Sequence, residues 1–284
     1  MNRFQHGKKE HGRRPLGRAQ GRTAPDQRPR PGQPAGWQNV AKWYSQYLEG
    51  PDTYQDKIVF PGVLRLLAPR AGATYLDIAC GEGALDEKIA AAKARVVGFD
   101  AAPALVERAR RRNLPGAEFL TGDAQRFPAA VLNRRFDGAV CVLAIQNIKD
   151  MPAVYANAAR VLAPGAPFVI VMNHPAFRVP RQSEWGFDEV KKTLYRRLDR
   201  YLTPMDIPIL MNPGQRGGRP VTTVSHHRPL QDHFAALGAA GLAVDALEEW
   251  VSHHESDPGK RAKAENRARE EFPLFLALRA RKMA

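Results

Sequence analysis

Long apolar runs and cysteines are scarce in this chain of 284 residues. No stretch approaches the roughly 18 consecutive apolar residues of a membrane-spanning helix, and no apolar segment follows the basic N-terminus as in a secretory signal. The two cysteines, Cys80 and Cys141, fall in segments predicted to be strand or strand end, where a thiol behaves as a small hydrophobic residue. These absences predict a reduced, cytoplasmic protein without a membrane span.

Acidic residues are also in the minority, and the resulting net charge of +14 is unevenly distributed. Nine basic residues and two acidic ones precede Trp37, so half of the excess positive charge lies in residues 1–36. This segment is rich in Gly, Pro, Arg and Gln and has almost no apolar residues, so burial cannot offset the entropy of ordering it. We therefore predict a disordered basic tail over 1–36 and one folded domain over 37–284.

The folded part alternates between strand-like and helix-like segments. Apolar residues recur at helical spacing in 37–70, which predicts N-terminal helices. Strands are then predicted at 74–79, 96–100, 118–121, 136–144 and 168–172, with helices at 84–92, 103–112 and 152–162. A helix at 230–240 and strands at 242–248 and 273–278 complete the pattern. Strands separated by helices indicate an α/β fold with parallel pairing and right-handed crossovers.

A turn containing Gly81 and Gly83 follows the first strand. Glycines lack side chains where a ligand must approach the backbone closely. The carboxyl groups of Asp77, Glu82 and Asp86 surround this turn, which disfavours a pyrophosphate and suits a ligand with a sulfonium and an ammonium group. For Glu82 and Asp86, simple compensation of the helix dipole is an alternative interpretation.

Acidic residues also follow the next two strands. Asp100 ends the second strand about 20 residues beyond the glycine turn, where a carboxylate can accept hydrogen bonds from ribose hydroxyls. Asp123 follows the third strand, where it could accept a hydrogen bond from an adenine amine. Each signal alone also fits an ordinary strand end or turn. Together they predict one ligand site, because ligands of open α/β sheets bind at the carboxyl ends of the strands.

With these motifs, residues 74–172 resemble the class I, Rossmann-like S-adenosylmethionine-dependent methyltransferases. The resemblance implies a seven-stranded, mostly parallel sheet with an antiparallel last strand, helices on both faces, and S-adenosylmethionine as cofactor. The cofactor residues that it implies are Asp77, Ala79, Gly81 and Gly83 at the methionine end, Asp100 and Ala101 at the ribose, Asp123 and Ala124 at the adenine, and Ala144 and Gln146 near the transferred methyl group. Ala79 departs from the glycine that many members have at this position.

The stretch 173–228 interrupts the alternating pattern and contains many prolines. It is too long for a passive connector in a compact domain, so we predict a lid that covers the substrate. Tyr44 in the N-terminal helices is expected to close over the methyl end of the cofactor together with this lid. A loop folded onto a remote face of the domain is the alternative.

The sequence says less about the methyl acceptor, because the fold does not define the substrate. The fourth strand is not followed by the Asn-Pro-Pro-aromatic turn that is typical of enzymes methylating the amino groups of adenine or glutamine. Cys141 also lacks the neighbouring proline that is typical of enzymes methylating C5 of cytosine. Histidines are suitable bases near neutral pH, so the catalytic candidates are His174 and His226, with His227 as a weaker one. A local structural role is the alternative for each histidine, and no metal site is predicted.

Three functions remain open at this point. The first is methylation of an O, N or C atom of a small or mid-sized metabolite, in a pocket walled by the aromatic residues Trp185, Phe187, Tyr195 and Tyr201. The second is methylation of RNA or a ribosome-associated protein, suggested by the basic tail and by Lys260, Arg261, Lys263, Arg267 and Arg269. The third is a binding protein that retains the cofactor fold without methyl transfer. Either a monomer or a homodimer is compatible with the sequence.

Overall fold

The structure is a computed structural model, and it describes residues 52–210 and 222–284. The predicted tail over 1–36 and the candidate residue Tyr44 lie outside the described residues. Within the described ranges, every helix is too short or too polar to cross a membrane.

A seven-stranded sheet forms the centre of the domain, in the order β10-β11-β5-β4-β1-β2-β3. Its strands are β1 (Thr74–Ile78), β2 (Arg95–Asp100), β3 (Ala117–Thr121), β4 (Gly138–Val142), β5 (Pro167–Asn173), β10 (Leu242–Trp250) and β11 (Phe275–Lys282). Strands β1 to β5 pair in parallel. Strand β11 runs antiparallel to β5 and also to β10. The predicted sheet with its antiparallel last strand is confirmed.

Helices cover both faces of this sheet. They are α1 (Phe60–Leu67, preceded by the π-helical turn Gln55–Val59), α2 (Ala84–Ala91), α3 (Pro103–Arg111), α4 (Ala129–Leu132), α5 (Met151–Val161), α6 (Leu230–Ala239) and α7 (Ala262–Glu271). Successive side chains of a strand point to opposite faces, so the neighbours Tyr75 and Leu76 enter different cores. Tyr75 packs in the same core as Val63 of α1 and Ile89 of α2, whereas Leu76 shares a core with Tyr155 of α5.

Two predicted strand boundaries are wrong by several residues. Strand β4 is shorter than the predicted 136–144, because Phe136 makes only an isolated bridge to Leu162 and Leu143 leaves the extended conformation with φ 54°. Strand β11 continues beyond the predicted end at 278, since Arg279 and Arg281 both pair with Asp245 of β10. The charged side chains of Arg279 and Arg281 interrupt the apolar pattern on which the prediction depended.

The stretch 173–228 contains two antiparallel hairpins that the sequence analysis did not predict. The first joins β6 (Ser183–Asp188) to β7 (Thr193–Leu198), and the second joins β8 (Met205–Leu210) to β9 (Thr222–His227). Helix α7 was also missed. The first hairpin packs against the end of this helix, where the ring of Trp185 lies 5.1 Å from that of Phe272.

Candidate active site

A cavity of about 820 Å³ opens at the carboxyl ends of β1 to β5. Eight of the predicted cofactor residues line it: Ala79, Gly81, Asp100, Ala101, Asp123, Ala124, Ala144 and Gln146. These residues come from four different strand ends that are distant in sequence. Their convergence is the geometry expected of a ligand site in an open α/β sheet.

Asp100 is held in place by two backbone hydrogen bonds. Its Oδ2 accepts from the N–H of Gly81 at 3.0 Å, and its Oδ1 accepts from the N–H of Ala102 at 2.8 Å. Burial raises the pKa of Asp100, while these two hydrogen bonds oppose that shift. Each carboxylate oxygen has a second lone pair, so the fixed carboxylate can still accept hydrogen bonds from a ligand in the cavity.

The turn between β1 and α2 uses left-handed backbone conformations at three positions. Gly81 has φ 57° and Gly83 has φ 76°, and Ala79 adopts φ 60° despite its Cβ. A left-handed conformation costs an L-residue roughly 1–2 kcal/mol. Ala79 therefore keeps the conformation that a glycine would take at this position, at a cost in strain beside the cavity.

Gly83 and Asp77 were also predicted to contact the cofactor, but neither lines the cavity. A Cβ on Gly83 would lie 3.2 Å from atoms of both Ala109 and Phe119, so this glycine allows α2 to begin against α3 and β3. Asp77 is buried within β1, next to Asp86 of α2. Both positions support the turn from below and do not face the cavity.

Asp77 and Asp86 form a buried pair of carboxyl groups beneath the turn. Burial, followed by the charge of Asp86, raises the pKa of Asp77 well above its usual value, and burial raises the pKa of Asp86 to about 7. Neither carboxyl oxygen of Asp86 has a hydrogen-bond partner among the described residues. Glu82 differs, because Arg108 and Arg112 lie within ion-pair distance of its carboxylate at 3.7 and 3.2 Å.

The loop after β4 supplies another orphaned polar atom. Gln146 donates through Nε2 to the carbonyl of Leu143 at 2.7 Å, whereas its Oε1 is buried without a partner in the described part of the chain. Leu143 itself lines the cavity in a left-handed conformation with φ 54°. This strained leucine could not be predicted, since nothing in the neighbouring sequence requires a positive φ.

Comparisons with known proteins agree with this geometry. Residues 76–165 match the family model described as a methyltransferase domain. A crystal structure of an S-adenosylmethionine dependent methyltransferase from Mesorhizobium loti aligns with a TM-score of 0.61 at 25% identity, covering 78% of this chain and 96% of that one. Residues 76–165 thus match a methyltransferase domain, and the fold is that of the class I S-adenosylmethionine-dependent methyltransferases.

Relatives of this methyltransferase domain include enzymes named for quinones. The 2-phytyl-1,4-naphtoquinone methyltransferase of Synechococcus elongatus is 34% identical over 144 residues, which are 48% of this chain and 58% of that protein. A ubiquinone biosynthesis O-methyltransferase of Xanthomonas oryzae pv. oryzae is 35% identical over 97 residues, which are 34% of this chain and 41% of that protein. The chain thus spans about half the length of these relatives.

His226 lies on strand β9, far from the glycine turn in sequence, and lines the same cavity. Its Nδ1 lies 2.6 Å from Oδ1 of Asp206, its direct neighbour across the β8–β9 hairpin. The hydrogen bond to His226 is the largest cause that lowers the pKa of Asp206. An ionised Asp206 accepts from Nδ1–H, which leaves the lone pair of the neutral ring on Nε2.

His174 was predicted as a catalytic base, but it does not line the cavity. Its buried ring is fully engaged, because Nε2 lies 2.7 Å from Oε1 of Glu249 and Nδ1 accepts from the backbone N–H groups of Ala176 and Phe177. Burial lowers the pKa of His174 despite the opposing effect of Glu249. His174 thereby connects the end of β5 to β10.

His227 is also engaged, with its Nε2 2.6 Å from the carbonyl oxygen of Tyr201.

The predicted aromatic wall of the pocket is wrong as well. Trp185 and Tyr195 are 47% and 51% exposed, and neither they nor Phe187 and Tyr201 line the cavity. The stretch 173–228 instead contributes mostly polar and small side chains. Those in the described part are Asn173, Arg178, Val179, Pro180, Ser183, Arg196, Ile209, Thr223, Ser225 and His226. Of these residues, only His226 was predicted from the sequence as part of the site.

Proposed function

We propose that the protein transfers the methyl group of S-adenosylmethionine to an O, N or C atom of a small or mid-sized metabolite in this cavity. The observation that carries the proposal is the convergence of the strand-end residues with a histidine–aspartate pair around one space. A volume of about 820 Å³ lies within the usual range of small-molecule sites, about 300–1,000 Å³. The quinone-related names of the two relatives support a small acceptor.

The residues of the turn and of the strand ends fit this cofactor. Asp100 would accept hydrogen bonds from the ribose hydroxyls, and Asp123 with Ala124 would contact the adenine. The carboxyl groups of Asp77 and Asp86 lie buried side by side beneath the turn, where a cationic ligand would favour their ionised forms. The cofactor supplies a methyl group that is already activated by its bond to a sulfonium sulfur.

His226 is the proposed base for an O–H or N–H acceptor. Its Nε2 would take the acceptor's proton as the oxygen or nitrogen bonds the methyl carbon and the carbon–sulfur bond breaks, with the electron pair going to sulfur. Asp206 holds Nδ1–H at 2.6 Å and stabilises the positive charge that the ring gains. The remaining task of the protein is to align the two reactants.

The stretch 173–228 is the proposed lid over the acceptor. Its residues Arg178, Ser183 and Thr223 line the same cavity as Gly81 and Asp100, which supports this role. A loop folded onto a remote face of the domain would not place these residues in the cavity.

RNA or a ribosome-associated protein is the second candidate acceptor. Basic residues on and before α7 favour it, but Arg261 pairs with Glu189 at 2.9 Å and Arg269 donates to Ser256 at 3.1 Å. These two side chains therefore already have partners on the protein surface. We favour the metabolite on this ground and on the volume of the cavity.

A labelling experiment tests the proposal. Purified protein would be incubated with methyl-labelled S-adenosylmethionine and a cell extract, which is then separated into RNA, protein and small molecules. We expect label in the small-molecule fraction, and much less of this labelling with the Asp100→Ala variant. Label in the RNA or protein fraction alone would select the second candidate, and no enzyme-dependent label in any fraction would reject methyl transfer.

A further inference from the structure

The acidic and basic side chains that line the cavity come from different segments of the chain. The acidic ones, Asp100 and Asp123, belong to the strand ends that are proposed to hold the cofactor. The basic ones are Lys149 in the loop after β4, Arg178 after β5 and Arg196 on β7. This separation of charge points to an acceptor whose own charge is negative.

Arg196 is the best positioned of these cations. Its Nε donates to the carbonyl of Phe177 at 2.9 Å, and its Nη2 donates to Oγ of Ser183 at 2.7 Å. Its guanidinium also lies 5.0 Å from the ring of Trp185, its neighbour across the β6–β7 hairpin. These contacts fix the direction of the side chain before any ligand binds, so a ligand would not have to order it.

Arg196 differs from the next residue in its lack of an acidic partner. Arg197 pairs with Asp199 at 2.6 Å and with Glu184 at 3.3 Å. No carboxylate of residues 52–210 or 222–284 lies within ion-pair distance of Arg196. Burial and the nearby charge of Arg178 lower the pKa of Arg196, as expected for a cation in positive surroundings.

Such an arrangement is costly without a ligand and favourable with one. A partly buried cation beside a like charge is destabilising, because neither solvent nor an opposite charge fully compensates it. A guanidinium has five N–H donors, and Arg196 uses two of them on the described residues. The remaining donors can form the paired hydrogen bonds that arginine makes with carboxylates and phosphates.

We propose that the methyl acceptor is a small molecule with an anionic group, a carboxylate or a phosphate, which Arg196 binds while Arg178 and Lys149 add positive charge. This inference rests on the proposed function, since it names the chemical class of that acceptor. The anionic group would anchor the molecule at the lid side of the cavity. Its nucleophilic atom is then left to reach the space between His226 and the strand ends.

Binding of charged and neutral probes tests the inference without requiring turnover. The probes are benzoate, phenyl phosphate and the neutral benzyl alcohol, each titrated by calorimetry into full-length protein saturated with S-adenosylhomocysteine. We expect benzoate or phenyl phosphate to bind at least about tenfold more tightly than benzyl alcohol, the lower end for hydrogen bonds to charged groups. The tighter of the two anions identifies which group the site prefers.

Matched variants locate the effect. Arg196→Gln should abolish the preference for the anion, whereas Arg197→Gln on the same strand should keep it. Arg196→Lys should retain only part of the preference, because lysine keeps the charge but loses the planar fork. An unchanged affinity for S-adenosylhomocysteine in each variant confirms that the domain is folded, and if Arg196→Gln fails to fold, the lysine variant provides the comparison.

The outcomes separate this inference from the proposed function. Equal binding of all three probes, or no binding, overturns the anionic acceptor, as does a preference that survives Arg196→Gln. Binding of a short oligouridylate far more tightly than phenyl phosphate, again dependent on Arg196, also overturns it in favour of RNA. Methyl transfer to a neutral metabolite would refute the inference and leave the proposed function intact. Anion binding without methyl transfer to any extract fraction would support the anion site and refute the proposed function.

Discussion

At the scale of single residues, the cavity combines fixed acceptors with orphaned ones. Asp100 is held by two backbone N–H groups, whereas the Oε1 atom of Gln146 is buried without a partner among the described residues. Buried polar atoms without partners cost roughly 1–3 kcal/mol each. A bound ligand that supplies the missing donors or charges would recover this free energy.

The first prediction concerns Asp100. Replacing it by alanine should weaken S-adenosylhomocysteine binding by about 1.5–3 kcal/mol, the range for hydrogen bonds that involve a charged group. The change removes the acceptor for a ligand and also frees the N–H groups of Gly81 and Ala102. Calorimetric titration measures the effect, with a circular dichroism spectrum as the check of folding. An unchanged dissociation constant in a folded variant would remove Asp100 from the site.

The second prediction concerns the pH dependence of stability that arises from the Asp77–Asp86 pair. Burial raises the pKa of Asp86 to about 7 in the folded protein, above its value of about 4 in an unfolded chain. Its contribution to stability is therefore full below about pH 4 and is lost as the pH rises through 7. The ligand-free protein should be more stable at pH 5 than at pH 8 on this account.

Asp86→Asn removes the carboxyl group whose pKa is raised to about 7. We expect the variant to be more stable than the wild type at pH 8 by about 1–3 kcal/mol, given 1.36 kcal/mol per pKa unit, and to bind S-adenosylhomocysteine less tightly. Glu87→Gln, at the neighbouring exposed residue, is the matched control and should change neither property comparably. Urea unfolding at pH 5 and pH 8 measures the difference. A pH profile that is identical in Asp86→Asn and wild type would contradict the shifted pKa.

The third prediction separates His226 from His174. Replacing His226 by glutamine should lower kcat about 10²–10⁴-fold, the usual contribution of a general base, with little change in cofactor affinity. His174→Gln should instead reduce stability, since its ring bridges Glu249 and the backbone after β5. Asp206→Asn should shift the pH–rate profile, because it alters the hydrogen bond at Nδ1. If His226→Gln keeps full kcat, another group takes the proton or no base is needed.

At the scale of secondary structure, periodicity predicted the elements that are buried on both sides. Strands β1, β2 and β5 are buried along nearly their whole length, and the carboxyl ends of β1 and β2 carry the glycine turn and Asp100. Because parallel strands end at the same edge of a sheet, the order of motifs along the chain was sufficient to predict that they meet. This rule predicted most of the residues in the part of the cavity that is proposed to hold the cofactor.

The acceptor part could not be predicted in the same way. Strands β6 and β7 lie in a two-stranded hairpin with partly exposed faces, so Glu184, Arg196 and Arg197 interrupt the apolar alternation. Whether a strand arginine faces a cavity or an ion pair depends on the register of the hairpin, and register depends on contacts that a single sequence does not reveal. Arg196 and Arg197 illustrate the limit, since adjacent residues of one type have opposite environments.

At the scale of the whole molecule, the distribution of charge suggests a division of tasks. Half of the net charge of +14 lies in residues 1–36, which are outside the described residues. Basic side chains inside the cavity act on a single bound molecule, whereas a basic tail raises nonspecific, salt-dependent affinity for polyanions. The two effects can be measured separately.

The fourth prediction concerns the deletion of residues 1–36. Because this segment has almost no apolar residues to bury, the shortened protein should keep its melting temperature and its affinity for S-adenosylhomocysteine. Its retention on a heparin column should fall to a lower salt concentration, since seven net positive charges are removed. A matched variant of full length, with the basic residues of the tail changed to glutamine, distinguishes charge from length. If the melting temperature falls with the deletion but not with the glutamine variant, the segment packs against the domain. If retention on heparin is unchanged in both variants, the folded part of the protein binds the heparin.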